Sequence, residues 1–515
     1  MSLLAQQRMA PLGLHQTADP ELAQVARIGS HFIELLREPH ILPPALQTDI
    51  PFRLDRLPWS RFHLLVVLGL GITWILDGLE VTIVGSLGPA LQSPDTLRLS
   101  SANLGSIASF YVAGAVAGAL VFGWTTDRFG RRVVFYVTLI IYLTGVLLSA
   151  LAWNFWSFAL FRLVTGLGIG GEYAAVNSAI DELIPAKYRG RVDLIVNGSF
   201  WLGAAFGALA TPFLLNQQVF AVNLGWRLGF GIGGVLGLAI LLLRGFVPES
   251  PRWLVTHCRN DEAETIVKQI EEKVAADTKQ SLDEPERRLE VHPRKSFGLS
   301  LIFSAMVGKY RSRSILALTL MVAQSFLYNS VFFTFGLILA HFYHVPNEKV
   351  GFYILPLAIG NFCGPLILGH LFDTVGRRKM ISLTFGASGV LLILTAILFG
   401  LNRLTALTQT AAWLVIFFAA SPAASSAYLT ASEIFPLETR ALAIACFYAL
   451  GTALGGSIAP SVFGRLIETG SSWQVSFGYL AAAALLLAAA VVECKMGVDA
   501  EGKSLESIAD PLSRS

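Results

Sequence analysis

Long apolar runs dominate the chain. They lie near residues 62–90, 102–124, 133–152, 156–181, 192–215, 226–246, 313–340, 349–372, 380–400, 409–433, 439–466 and 472–493. At about 1.5 Å per residue, some twenty residues of helix cross the ~30 Å hydrocarbon layer of a bilayer. Closed β-barrels are the other structures that can span a membrane, but their strands are short and alternate apolar with polar positions. These runs are long and continuously apolar, so the pattern predicts twelve transmembrane helices and an all-α integral membrane protein. A polar stretch, 247–312, separates the sixth run from the seventh. Within it "DEAETIVKQIEEKVAAD" (261–277) has the spacing of an amphipathic surface helix, whereas 278–296 has little periodicity and reads as a flexible linker. The expected organisation is an N-terminal segment 1–60, a six-helix bundle 61–246, a linker 247–312, a second six-helix bundle 313–493 and a tail 494–515.

Composition agrees with the pattern. Of 515 residues, 54% are hydrophobic and 14% charged, against about 25% charged in soluble domains. The net charge of +3 is too small, and too little interleaved with aromatics, to suggest a nucleic-acid partner. Cys258, Cys363, Cys446 and Cys494 lie too far apart for a metal motif or a disulfide framework. "GLGIGG" (166–171) matches a dinucleotide fingerprint in letters only. It lies inside an apolar run, where small residues let helices pack closely. No P-loop occurs, and His63, His341, His344 and His370 fall near span ends as interfacial residues. No cofactor, metal or catalytic site is expected, and the chain does not read as an enzyme. No cleavable signal opens the sequence, so the first span is expected to direct insertion.

Charges orient the spans. Arg128, Arg131 and Arg132 follow span 2, Lys187, Arg189 and Arg191 follow span 4, and Arg377, Arg378 and Lys379 follow span 8. The connections "AWNFW" and "ETGSSWQ" carry no Lys or Arg. The positive-inside rule puts the arginine-rich connections and both termini in the cytoplasm.

A repeat relates the two halves. "GWTTDRFGRR" (123–132) closes span 2 and "GHLFDTVGRR" (369–378) closes span 8. Gly123, Asp127, Gly130, Arg131 and Arg132 recur as Gly369, Asp373, Gly376, Arg377 and Arg378. At the ends of spans 4 and 10 a glutamate precedes an arginine by seven residues, as Glu182/Arg189 and Glu433/Arg440. Two similar halves about an axis along the membrane normal is a transporter plan. Glycines permit tight turns and close approach. The carboxylates can pair with the arginines when the halves meet and part from them when the halves separate. These residues, with Arg128, are the candidate cytoplasmic gate.

Together with "RLVTGLGIGGEY" (162–173) and "PESPRWL" (248–254), these motifs make residues 60–493 resemble the major facilitator superfamily, near its sugar porters and metabolite–proton symporters. The resemblance implies two pseudo-symmetric six-helix bundles and alternating access around a midplane site. Thr374 departs from the first copy, which has Arg128 there, so the second-half latch is expected to be weaker.

Several polar residues lie inside the spans. A charge at the bilayer centre costs roughly 2.5–3.5 kcal/mol on insertion scales, so each needs a reason. Asp77 and Glu80, three apart, share one face of span 1. Span 4 carries Arg162, Glu172 and Asn177. By depth Arg162 can reach Glu80 or Asp77, and three acids to one arginine leave an acidic surplus. Carboxyls crowded together and removed from water can load and release protons near neutral pH. Asp77, Glu80, Glu172 and Arg162 are therefore the proton-coupling candidates, Asp77 foremost. The family resemblance adds weight to Glu172, because "GGE" followed by an aromatic occurs in many proton-linked members. Candidate substrate contacts are Asn177, Asn197, Trp201, Gln324, Tyr328, Asn329, Asn361 and Tyr428, amides and aromatics suited to a hydroxylated or aromatic metabolite. The resemblance implies a strong part for span 7, which favours Gln324 and Asn329.

The expected activity is proton symport of a small organic metabolite (a sugar, a polyol, or an aromatic or other organic acid) across the plasma membrane, in a bacterium the inner membrane, by a monomer. Proton-driven efflux or uncoupled facilitation is the alternative. A non-transporting nutrient sensor is more remote, since the tail after Cys494 is short.

Overall fold

The computed structural model describes residues 46–510 except 215, 217, 244–246, 283–287, 292–303, 305, 333 and 457. Most of the N-terminal segment and parts of the linker thus lie outside the described residues.

Helices occupy all twelve apolar runs. In the first half, span 1 is Arg61–Ser86, span 2 Ser101–Phe129, span 3 Arg131–Ala150, span 4 Phe155–Leu183, span 5 Arg189–Leu214 and span 6 Val222–Leu243. In the second half, span 7 is Arg311–Tyr343, span 8 Asn347–Thr374, span 9 Arg377–Gly400 and span 10 Ala406–Glu433. Span 11 begins at Arg440 and ends at Glu468, and span 12 is Ser472–Met496. By length and composition alone, ten helices among the described residues qualify as membrane spans. Spans 4 and 6 are not among them; in span 4 Arg162, Glu172, Asp181 and Glu182 interrupt the apolar run. Large apolar side chains such as Leu68, Val133, Ile140, Leu383 and Val390 are exposed around the perimeter. In a multi-pass membrane protein they meet lipid.

Local sequence accounts for the helix ends. Asn154 and Ser157 form a capping box at the start of span 4, and Thr405 and Thr408 form one at the start of span 10. Gly130 and Gly376 stand between spans 2 and 3 and spans 8 and 9 at φ +96° and +118°, a conformation that favours glycine. Each corner is held by a carboxylate. Glu249 accepts from the backbone N–H of Arg131 at 2.9 Å and of Arg132 at 3.2 Å, and Glu501 accepts from the N–H of Arg377 at 3.4 Å. Anions are favourable at such helix starts.

Spans 7 and 11 each contain a π-helical turn, Tyr328–Phe332 and Thr452–Gly456. They pack closely here, since a Cβ on Gly455 would lie 2.8 Å from the carbonyl oxygen of Val322. Such turns commonly mark functional regions. The "GLGIGG" glycines serve helix packing. A Cβ on Gly166 would come within 2.1 Å of the Tyr111 carbonyl oxygen, and one on Gly170 within 1.9 Å of that of Ala115.

The polar appendages are more ordered than their sequence suggests. Strand β1 (Leu46–Thr48) pairs antiparallel with β2 (Leu289–Val291), which lies inside the expected flexible linker. Arg53 and Arg56 reach Glu271 on the surface helix Asn260–Thr278 at 2.6 and 2.7 Å. The tail also docks. Arg252 donates through Nη1 to both oxygens of the Glu506 carboxylate at 2.7 and 2.6 Å, and its Nη2 lies 2.8 Å from Asp55. Lone polar segments have no periodicity to reveal such pairing, because each supplies only half of it.

Candidate functional site

Two polar layers lie between the halves. The first is at the arginine-rich face, and it follows the sequence repeat. Asp127, at the end of span 2, accepts from the N–H groups of Ala441 at 3.3 Å and Leu442 at 2.9 Å, at the start of span 11. Asp373, at the end of span 8, accepts from Gly190 at 3.1 Å and Arg191 at 2.8 Å, at the start of span 5. Each half thus caps a helix of the other. Behind them Arg131 bonds Asp127 and Glu182 at 3.3 and 2.7 Å, and Arg377 bonds Asp373 at 2.6 Å and both Glu433 oxygens at 2.9 Å. The glutamates close the circuit across the halves: Arg440 lies 3.3 Å from Glu182 and Arg189 lies 3.7 Å from Glu433. Gly123 lets span 2 approach span 11, for a Cβ there would sit 2.4 Å from that of Ala445, and Gly369 faces Arg191 of span 5 at 3.6 Å. All these groups are brought together, and this face is closed.

The departure at Thr374, from which a weaker second latch is expected, lies outside these contacts. Arg128 lies outside the network, its guanidinium over the rings of Trp124 and Phe129, and Thr374 donates to His370 O on its own helix. The departure therefore falls at a position that faces away from the contact. Of the basic residues that follow the glycine corner, Arg132 contributes its backbone N–H to Glu249, while the Arg378 side chain reaches the carbonyl oxygen of Cys494. Neither joins the latch.

The second layer lies deeper. Arg162 pairs with Glu80 rather than Asp77 and rests 4.5 Å from the centre of the Tyr111 ring. Asp77, fully buried, instead accepts hydroxyl bonds from Tyr111 at 3.1 Å and Tyr173 at 2.5 Å. Glu172 is also buried, one residue before Tyr173, so it lies about 100° round the helix from the side that meets Asp77. Tyr173 belongs to an aromatic cluster built from both halves. It stacks on Trp74 at 4.4 Å, meets Tyr448 edge-on at 4.9 Å and approaches Tyr428 at 6.3 Å. Gln324 of span 7 lies beside Tyr428, and Thr452 of the span 11 π turn lies beside Tyr448.

A second aromatic group sits beside the span 7 π turn. Trp201 stacks on Tyr328 at 5.1 Å and meets Phe332 at 4.6 Å, and the Tyr328 hydroxyl donates to Asn361 at 2.6 Å. Asn329 donates to Ser325 O on its own helix at 2.8 Å. Asn177 and Asn197 are not in either aromatic group. Asn197 donates to Asn177 at 2.9 Å and to Asp193 at 3.2 Å, toward the closed face.

Trp74, Tyr173 and Tyr448 of the cluster, and Tyr111 beside Asp77, are absent from the candidates the sequence offers. Aromatic residues in an apolar run look like core. The available signal was that Tyr173 follows "GGE" and that Trp74 precedes Asp77 by one short turn.

With this geometry in hand, similarity to known proteins is informative. A niacin transporter of Acinetobacter baylyi is 28% identical over 462 residues, covering 89% of this chain and 99% of that protein. A 4-hydroxybenzoate transporter of the same organism is 26% identical over 442 residues, covering 83% of this chain and 89% of that protein. The solved proton:xylose symporter XylE superposes with a TM-score of 0.71 at 18% identity, over 87% of this chain and 98% of that one. The model of the sugar (and other) transporter family matches residues 81–510. The chain thus has the major facilitator fold, and it belongs to the sugar (and other) transporter family, a family of membrane transporters and not of enzymes.

Proposed function

We propose that the protein imports a small aromatic carboxylate with protons across the plasma membrane, its arginine-rich face and both termini in the cytoplasm. The observation that carries this reading is the position of Asp77. Glu80 takes the guanidinium of Arg162, so Asp77 has tyrosine hydroxyls as its partners and, among the described residues, no ion pair. An isolated buried carboxylate is costly unless it is compensated or neutralised. Proton uptake from the outside supplies that neutralisation.

The same contact links the proton to the substrate. While Asp77 is ionised, it holds the hydroxyl of Tyr173. Once Asp77 is protonated, that hydroxyl is free to donate toward the aromatic cluster, where it can meet a substrate carboxylate. Trp74, Tyr173, Tyr428 and Tyr448 offer ring faces from both halves, and Gln324 offers an amide. Stacking plus a few aimed polar groups is how small flat ligands are held. Binding both partners cancels their charges, after which the halves can rock and the face at the latches can open. The niacin and 4-hydroxybenzoate transporters, similar over nearly the whole chain, favour aromatic acids over sugars.

The test is uptake into proteoliposomes of nicotinate, 4-hydroxybenzoate, xylose and inositol, with and without an inwardly directed proton gradient. Accumulation of an aromatic acid that needs the gradient supports the reading. Accumulation of xylose or inositol alone overturns the substrate class, and gradient-independent flux overturns the coupling.

A further inference from the structure

The latch layer contains two acids that the transport reading does not use. Asp181 and Asp193 are both fully buried, on the inner ends of spans 4 and 5. Neither, among the described residues, forms an ion pair. Both oxygens of Asp181 and Oδ1 of Asp193 lack a hydrogen-bond partner. Asp193 uses Oδ2 to accept from Asn197 at 3.2 Å.

The surroundings explain why they are left over. The arginines facing them are committed elsewhere. Arg189 lies 3.0 Å from Asp55 and 3.7 Å from Glu433. Arg377 holds Asp373 and Glu433 at 2.6 and 2.9 Å, and Arg440 holds Glu182 at 3.3 Å. The neighbours of Asp181 are Glu433 and Ser432 of span 10, Arg189 of span 5 and Arg440 of span 11. Ser432 donates its hydroxyl to Leu429 O at 2.8 Å. Asp193 faces Asp181 of span 4, Glu433 of span 10, Arg377 of span 9 and Asn197 on its own helix. Two adjacent, fully buried carboxylates with no committed cation are mutually repulsive, and burial deprives them of water.

We propose that Asp181 and Asp193 bind a proton whenever the cytoplasmic face is closed and release it when that face opens. The proton supplies what the pair lacks: it neutralises one of the two buried carboxyls and relieves its repulsion of the other. Opening brings water to both groups, removes the need for neutralisation and lets the proton leave to the cytoplasm. Closure of the face is thereby a proton-consuming step. An acidic cytoplasm holds the transporter shut inside, and an alkaline one lets it open. This station is distinct from Asp77 and does not depend on what the central site carries.

The experiment needs no substrate. Spin labels are placed on the exposed residues Lys187 and Lys379, as Lys187→Cys and Lys379→Cys, in full-length protein whose native cysteines are replaced, and their separation is read by pulsed electron resonance in lipid nanodiscs between pH 5.5 and 8.5. The labelled parent is expected to shift from a short to a long distance as pH rises. Asp181→Asn with Asp193→Asn is expected to stay at the short distance throughout, because neutral amides mimic the protonated pair. Asp77→Asn is expected to keep the pH response, which separates this proposal from the coupling site. An unaltered titration in the double variant overturns the proposal. So does a parent whose distance follows sodium at fixed pH rather than pH, for the pair would then bind a metal cation. If the double variant misfolds, the single variant Asp193→Asn must move the midpoint by at least one pH unit, and an unmoved midpoint overturns the proposal equally.

Discussion

Asp127→Asn removes one of the two latches without altering its shape. In the closed protein this carboxylate accepts two backbone N–H bonds across the halves, at 3.3 and 2.9 Å, and pairs with Arg131 at 3.3 Å. Hydrogen bonds to a charged group contribute about 1.5–3 kcal/mol each. The amide oxygen of asparagine can still accept one of the two N–H groups, and water replaces part of what is lost when the face opens. A net loss of about 2–3 kcal/mol remains, and each 1.4 kcal/mol is tenfold, so the ratio of closed to open protein falls roughly 30- to 150-fold. Cys446 reports the change. It is 7% exposed on span 11, next to Ala445, which abuts Gly123 of span 2. Alkylation of Cys446, followed by mass spectrometry in detergent, is expected to accelerate by a factor of that order, limited by complete opening. Asp373→Asn is expected to act as strongly, because its contacts are at least as short. Unchanged Cys446 labelling in both variants would falsify the latch reasoning.

Other outcomes follow from individual contacts. Asp77→Asn is expected to abolish gradient-driven accumulation in proteoliposomes while preserving substrate exchange at equal pH; continued uphill transport on a pH difference would contradict the coupling role. Glu80→Gln strands Arg162 in a dry site and should cost about 3–5 kcal/mol in thermal unfolding, much more than replacing Glu80 and Arg162 together with apolar residues; equal losses would mean that the pair is not a buried couple. Tyr173→Phe is expected to raise KM more than it lowers the maximal rate if the hydroxyl meets the substrate, and an unchanged KM would remove it from the site. Burial holds the His257 imidazole down from 6.5 to about 4. As pH falls below 6.5 the unfolded chain protonates first, so stability is lost between pH 6.5 and 4, by up to about 3 kcal/mol at 1.36 kcal/mol per pH unit. His257→Gln should flatten that part of the melting-temperature profile, and an identical profile would show that other groups dominate it.

Much of this protein was legible from its chain alone. Twelve spans follow from run length, since any twenty apolar residues must bury their backbone polar groups in a helix when water is absent. The candidate gate residues followed from a repeat of Asp, Gly and Arg at equal spacing, and Asp127, Arg131, Asp373 and Arg377 lie in one set of contacts between the halves. Local patterns of this kind need no knowledge of neighbours.

What remained hidden depends on partners far away in sequence. Arg162 could reach either acid of span 1 by depth, and only packing assigned it to Glu80 and left Asp77 to two tyrosines. Trp74, Tyr173 and Tyr448 read as ordinary core aromatics, and only packing gathered them round Tyr428. Asp181 and Asp193 are unremarkable charges near span ends in the sequence. Their lack of an ion pair, among the described residues, is a property of where the nearby guanidinium groups went, and that is decided by the whole fold at once.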